Sequence, residues 1–239
     1  MNNLVDKRET RIRGMFGHIA PRYDLLNHLL SLNVDRYWRW RTTRLVPPTG
    51  PEPILDVCTG TGDLALAYDR AADHQAPIVG ADFCPPMLER AVAKTARAHA
   101  DERVRFVEAD AQHLPFPDNS FQIATVAFGL RNVTDTDRGI AEMVRVTRPG
   151  GRVAILEFSQ PRGWLLGPIY RFYFRRILPL IGQIISRSKD SAYSYLPASV
   201  MEFPDGEALA ERLRGHGLTD VSWHPLTFGI ATLYIGKKP

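Results

Sequence analysis

Cysteine is scarce, with Cys58 and Cys84 the only two in 239 residues. Two thiols cannot build a disulfide framework, and neither sits in a CxxC or Cys/His spacing that would hold zinc, so no metal is expected. Both are expected as buried thiols in a reducing compartment. Long apolar runs are also missing. No stretch stays uncharged for the ~18 residues of a membrane span. The opening MNNLVDKRETRIRGMF mixes acids and bases where an export signal needs a continuous apolar region. These absences predict a cytoplasmic protein. No internal repeat or low-complexity tract is visible, and a strong excess of one charge is lacking as well. Thirty Lys+Arg against 26 Asp+Glu leave +4, with a pI near 9.2. That balance suits an anionic cofactor, a lipid headgroup or a nucleic acid equally and selects none of them. What remains is ordinary globular composition, 44% hydrophobic and 23% charged. A chain of this length removes roughly 70% of its unfolded surface from water, enough for a free-standing enzyme.

From Pro53 onward short apolar runs alternate with helical patterns, the sequence form of repeated βα units and a parallel sheet. Strands are predicted at about Ile54–Val57, Ile78–Ala81, Val104–Glu108, Gln122–Phe128 and Arg152–Glu157. Helices are predicted at about Asp63–Ala72, Pro85–Ala98 and Asp137–Val146, the second opened by a proline pair suited to a first helical turn. After Pro204 the segment EALAERLRGHGL has helical spacing, and VSWHPLTFGIATLYIG predicts two antiparallel strands turning around Pro225. Two segments fall outside this alternation: residues 1 to about 50, expected to form a helical cap, and an insertion at about 160–200 within the main domain, residues 51–239. Both are expected at the carboxyl edge of the sheet, where open α/β sheets bind their ligands.

The strongest local signal is Ile54-Leu55-Asp56-Val57-Cys58-Thr59-Gly60-Thr61-Gly62-Asp63, an apolar strand entering a glycine turn and then a helix. Gly60 and Gly62 remove side chains where a ligand must approach backbone. Twenty residues past Gly62, Asp82 closes the second strand, an acceptor suited to the two hydroxyls of a ribose. Asp110, beside Ala111, closes the third and suits an adenine amine. The relaxed GxGxxA form of the turn also fits a dinucleotide. A pyrophosphate would nevertheless have to lie against a helix start flanked by Asp56 and Asp63, whereas the sulfonium and ammonium of S-adenosylmethionine are favoured by those acids.

With these residues the sequence resembles the class I S-adenosylmethionine-dependent methyltransferases, and specifically the family that C-methylates the quinone ring in menaquinone and ubiquinone biosynthesis. The resemblance covers nearly the whole chain. Its marks beyond the cofactor motifs are Tyr23-Asp24-Leu25-Leu26-Asn27, Ser31 and Trp38, Leu114-Pro115-Phe116-Pro117-Asp118, Phe128-Gly129-Leu130-Arg131-Asn132-Val133, Arg148-Pro149-Gly150-Gly151 leading to Leu156-Glu157-Phe158-Ser159, and Ser191-Ala192-Tyr193-Ser194-Tyr195-Leu196. The Pro-Gly-Gly bend is shared with methyltransferases generally; the Gly-Leu-Arg-Asn run and the Tyr-Asp segment are narrower. Departures are Leu26 for the family's usual Met, Asp35 for His and Thr147 for an aliphatic residue. The resemblance implies a Rossmann-like α/β fold: a mostly parallel seven-stranded sheet, an antiparallel terminal strand and helices on both faces. It implies cofactor contacts from Thr61, Asp82, Asp110, Ala111 and Ala127, beside Asp56, Gly60 and Gly62 of the turn.

The reaction so implied is methyl transfer to a ring carbon of a prenylated quinol, most directly demethylmenaquinol. A ubiquinol precursor, another phenol, or non-catalytic quinone binding are the alternatives. In-line displacement at a sulfonium needs alignment and exclusion of water, and a quinol needs help in becoming a phenolate. Arg131 and Asn132, just past the fourth strand, are candidates to stabilise that anion. Tyr23 and Asp24 are further catalytic candidates, Asp24 as a base; Asn27, Tyr193 and Tyr195 are candidates to orient the ring. The aromatic and arginine-rich run Trp164 to Leu178 could lie on a membrane surface, form a lid or join a homodimer. No nucleic-acid partner is expected, since no stacking motif or basic run supports one.

Overall fold

The computed structural model describes Val5, residues 7–161 and residues 192–239, without the side chains of Leu26, Leu30 and residues 192–194. Most of the predicted insertion, including Trp164 to Leu178, lies outside the described residues. The strands are β1 (Ile54–Val57), β2 (Ile78–Asp82), β3 (Val104–Glu108), β4 (Phe121–Ala127), β5 (Thr147–Phe158), β6 (Thr219–Leu226) and β7 (Ala231–Lys237). The helices are α1 (Glu9–Ile19), α2 (Tyr23–Leu30), α3 (Val34–Leu45), α4 (Asp63–Ala71), α5 (Pro85–Arg97), α6 (Thr136–Val146), α7 (Ala192–Glu202) and α8 (Glu207–Gly215).

One seven-stranded sheet runs in the order β3-β2-β1-β4-β5-β7-β6. Neighbours are parallel except at β7, which is antiparallel to both β5 and β6. The central strands read as unbroken apolar runs because both of their faces are covered. Successive residues serve opposite cores. Leu55, Val57, Ala124, Val126, Val153 and Ile155 pack with Ile140 and Met143 of α6 and Leu209 and Leu213 of α8. Ile54, Ile123, Ala154 and Leu156 pack with Trp38 of α3 and Leu64, Ala65 and Tyr68 of α4.

Three predicted boundaries move. Phe128 sits at φ 59°, a left-handed conformation that turns the chain out of the ladder, and the pairing of β4 ends at Ala127. β5 begins at Thr147 rather than Arg152, because Thr147 pairs with Phe121 and the following register shift absorbs Pro149 to Gly151, with Gly150 at φ 75°. The C-terminal turn falls at Thr227–Gly229, not around Pro225, which lies within β6 opposite Thr232. β6 is an edge strand, where the N–H that proline lacks can be spared.

The order places β1 beside both β2 and β4, and the chain departs in opposite directions from that pair. A crevice opens at the carboxyl ends of such strands. Over it α1 and α7 meet in an apolar cluster of Ile12, Met15, Ile19, Tyr195 and Val200, joined by Tyr23, Phe83 and Phe158. No described helix is long and apolar enough to cross a membrane.

Candidate active site

Three left-handed residues shape the chain after β1: Cys58, Gly60 and Gly62, at φ 51°, 56° and 81°. A Cβ on Gly62 would stand 3.0 Å from the Phe106 ring and 3.3 Å from Ala91, so glycine is needed for both conformation and space. The Gly60 N–H donates to Asp82 Oδ2 at 2.8 Å, tying the turn to the end of β2. Asp82 also accepts from the Cys84 N–H at 2.9 Å, yet no side-chain cation pairs with it among the described residues. Burial pushes its carboxyl up to about 6, against the pull of those backbone donors. Asp56 lies beneath the turn, accepts from Thr59 Oγ1 at 2.6 Å, and is raised by burial to about 7.

A cleft of about 690 Å³, counting its open mouth, begins at this turn. It brings together Tyr23, Gly60, Asp82, Asp110, Ala111, Ala127 and Asn132 of the predicted residues. Asp110 accepts from the Gln112 N–H at 2.9 Å. The Tyr23 phenol is raised by burial and hydrogen-bonded by Asn27, so that predicted residue reaches the cleft only through Tyr23 and does not line it.

Thr61 and Asp24 go elsewhere. Thr61 Oγ1 donates to Asp24 Oδ1 at 2.5 Å, and Lys94 Nζ reaches Thr61 Oγ1, Asp24 and Asp63 at 3.0, 2.6 and 2.7 Å. Asp24 thereby clamps α2 to the glycine turn and lines a second cleft, not the one that holds Tyr23.

Arg131 is 6% exposed and its charge is already answered. Its Nη1 donates to Glu157 Oε2 at 2.9 Å and to the Phe128 carbonyl, and its guanidinium lies 5.3 Å over the Phe158 ring. Glu157, 1% exposed, also accepts from the Arg131 backbone N–H at 3.2 Å. The pair fixes the turn that delivers Asn132 to the cleft. Around it three buried atoms have no hydrogen-bond partner: Arg131 Nε, Asn132 Oδ1 and the Tyr195 phenol oxygen. Burial raises the Tyr195 phenol to about 12, keeping it a neutral donor. The Tyr193 side chain lies outside the described residues.

Several cleft residues escaped sequence reasoning. Lys7 lines the cleft and is lowered by burial, a role no pattern in the N-terminal segment announces. Phe83 and Met87 form its apolar wall, and Phe128 reaches it through the strain that ends β4. The proline pair marked the start of α5 but not the aim of Met87.

The arrangement fits S-adenosylmethionine. A cationic, hydroxyl-bearing ligand meets a buried carboxyl at Asp82, a half-exposed one at Asp110, backbone at Gly60 and an apolar wall. A pyrophosphate would find the Gly60 N–H taken by Asp82 and meet the Asp82 carboxyl, which no side-chain cation answers among the described residues.

The sequence profile of the ubiE/COQ5 methyltransferase family matches residues 4–238. The chain belongs to that family. It is a methyltransferase, as the residues of the turn and cleft imply. Among curated relatives, a Thermus thermophilus protein named demethylmenaquinone methyltransferase is 48% identical over 225 residues, covering 94% of this chain and 100% of that one. A Geobacter sulfurreducens protein named ubiquinone/menaquinone biosynthesis C-methyltransferase is 46% identical over 238 residues, covering 100% of this chain and 92% of its own. A solved Thermotoga maritima S-adenosylmethionine-dependent methyltransferase superposes with a TM-score of 0.66 at 17% identity, covering 95% of this chain and 99% of that one. That likeness carries the fold alone.

Proposed function

We propose that this family member transfers the methyl group of S-adenosylmethionine to a ring carbon of a prenylated quinol, converting demethylmenaquinol to menaquinol. Family membership and relatives named for C-methylation in menaquinone and ubiquinone biosynthesis support the reaction class. The observation that carries the acceptor is the set of unpartnered buried polar atoms on Arg131, Asn132 and Tyr195 beside an aromatic wall. Buried polar atoms without partners are costly unless a ligand completes them, and a quinol ring brings apolar area with two hydroxyls.

In this reading Asp82 holds the ribose hydroxyls, Asp110 and Ala111 face the adenine, and Ala127 with Gly60 border the amino-acid end. The bound cofactor supplies an electrophilic methyl. Asn132 Oδ1 accepts a hydrogen bond from the ring hydroxyl, and the Arg131 Nε–H and Tyr195 O–H donate to its oxygen, stabilising the phenolate formed as the hydroxyl proton passes to solvent. The electron-rich ring carbon then takes the methyl as the S–CH3 bond breaks to leave S-adenosylhomocysteine, and the displaced ring proton is lost to solvent. Glu157 positions Arg131; Tyr23 and Asn27 orient the ring; Asp24 holds α2 in place. The helices of residues 9–45, with Ala192–Glu202, serve as a cap that excludes water from the reaction.

Mass spectrometry of the reduced quinone pool in cells with and without the protein tests this. Accumulation of a menaquinone lighter by one ring CH₂ in its absence is expected. An unchanged menaquinone pool contradicts the acceptor, and a ubiquinone precursor short of one methyl would replace it.

A further inference from the structure

The outer face of α2 and α3 carries what the active site does not use. Leu25 and Leu29 on α2 are 62% and 47% exposed, and Leu32 in the following turn is 80% exposed. Leu32 adopts φ 53°, so the turn that presents this leucine to solvent uses a conformation side chains resist. On α3, Tyr37 and Trp40 are about half exposed, their ring centroids 5.9 Å apart. These positions recur at helical spacing on successive helices, which makes them faces rather than scattered surface residues.

Beside Trp40 the second cleft opens, lined by the exposed Arg36, Arg44 and Arg70. The acids of that cleft are spoken for: Asp63 by Arg39 and Lys94, Asp24 by Lys94. Arg36, Arg44 and Arg70 have no acidic partner among the described residues. Tryptophan and tyrosine beside leucines and free arginines is the composition of a helix lying at a membrane interface, with apolar side chains in the acyl boundary and guanidinium groups at phosphates.

We infer that α2 and α3 dock the protein on an anionic phospholipid surface, with Leu25, Leu29, Leu32, Tyr37 and Trp40 inserted and Arg36, Arg44 and Arg70 at lipid phosphates. A second copy fits this face less well, since a two-fold contact would set unpaired arginines against their own copies. Nucleic acid would leave the leucines with nothing to bury them. Tyr23 lines the catalytic cleft and Asp24 the second one, so α2 borders both, and docking here brings lipid to the helix that walls the catalytic cleft. The inference complements the prenylated-quinol reading, and its test needs neither cofactor nor quinol.

The full chain is floated with large unilamellar vesicles of phosphatidylcholine containing one quarter phosphatidylglycerol, and with phosphatidylcholine alone. Binding to the anionic vesicles, weakened by salt and by omission of phosphatidylglycerol, is expected. Leu32→Ser/Trp40→Ala and, separately, Arg44→Gln/Arg70→Gln should each weaken it about tenfold or more without lowering the melting temperature. Trp223→Ala, on the distant edge strand, should change nothing. Failure of the wild type to float, unchanged binding by both double variants, or retention by RNA in place of vesicles overturns the inference.

Discussion

Burial holds the Asp82 carboxyl at about 6, so its capacity to accept hydrogen bonds as a carboxylate fades just below neutral pH. Cofactor affinity measured by calorimetry should therefore fall as pH drops through 6, and Asp82→Asn should be weaker throughout and lose most of that dependence. A weakening of about 10- to 100-fold at pH 8 corresponds to one charge-assisted hydrogen bond pair. Glu157 gives a different expectation. Glu157→Gln leaves the Arg131 guanidinium buried without its counter-charge, which costs about 3–5 kcal/mol, whereas Arg131→Met/Glu157→Leu should recover most of it in denaturant melts while still abolishing turnover. Asp82 was legible because a carboxylate at a fixed distance past a glycine turn can be counted along the chain. Glu157 stood within a family mark, but its pairing with Arg131 was not legible, since the two lie 26 residues apart and only the sheet brings them together.

The strand, glycine turn and helix from Ile54 to Ala71 form the element on which the site depends. Gly62→Ala meets both a positive φ and the Phe106 ring at 3.0 Å, so it should destabilise the fold by about 1–3 kcal/mol and weaken cofactor binding together. Thermal melts with and without S-adenosylmethionine check both effects; an unchanged ligand-induced shift would separate the turn from the binding site. β1, β2, β3 and α4 were legible to within about a residue because strands buried on both faces read as apolar runs and glycine marks where they end. Edges were not. That Pro225 sits in a strand depends on β6 having a neighbour on one side only, a fact of sheet order rather than of local pattern. The helices of residues 9–45 were expected as a cap but could not be drawn individually, because their apolar faces are shared between the interior and the exposed surface of Leu25, Leu29 and Trp40.

At the scale of the whole molecule, the buried acids beneath the cleft make stability depend on pH. Asp56 is raised from an ordinary carboxyl value to about 7, so the folded chain holds a proton that the unfolded chain has lost. That contribution is full below about pH 4 and disappears as pH rises through 7. Asp56→Asn should flatten the slope of melting temperature between those values and raise the melting temperature at pH 8 by a few °C. The fold class was readable because alternating strands and helices admit few topologies, and the family because its motifs extend over nearly the whole chain. The partnerless atoms on Arg131, Asn132 and Tyr195 were not, for an unmet hydrogen bond exists only once the packing around it is known. The central claim is that the methyl group is attached to carbon. Incubating the purified protein with deuteromethyl S-adenosylmethionine and reduced demethylmenaquinone, then fragmenting the product, tests it most directly. A deuteromethyl group retained on the quinone ring carbon after reoxidation is predicted; a label found on oxygen, or none transferred, would contradict the account.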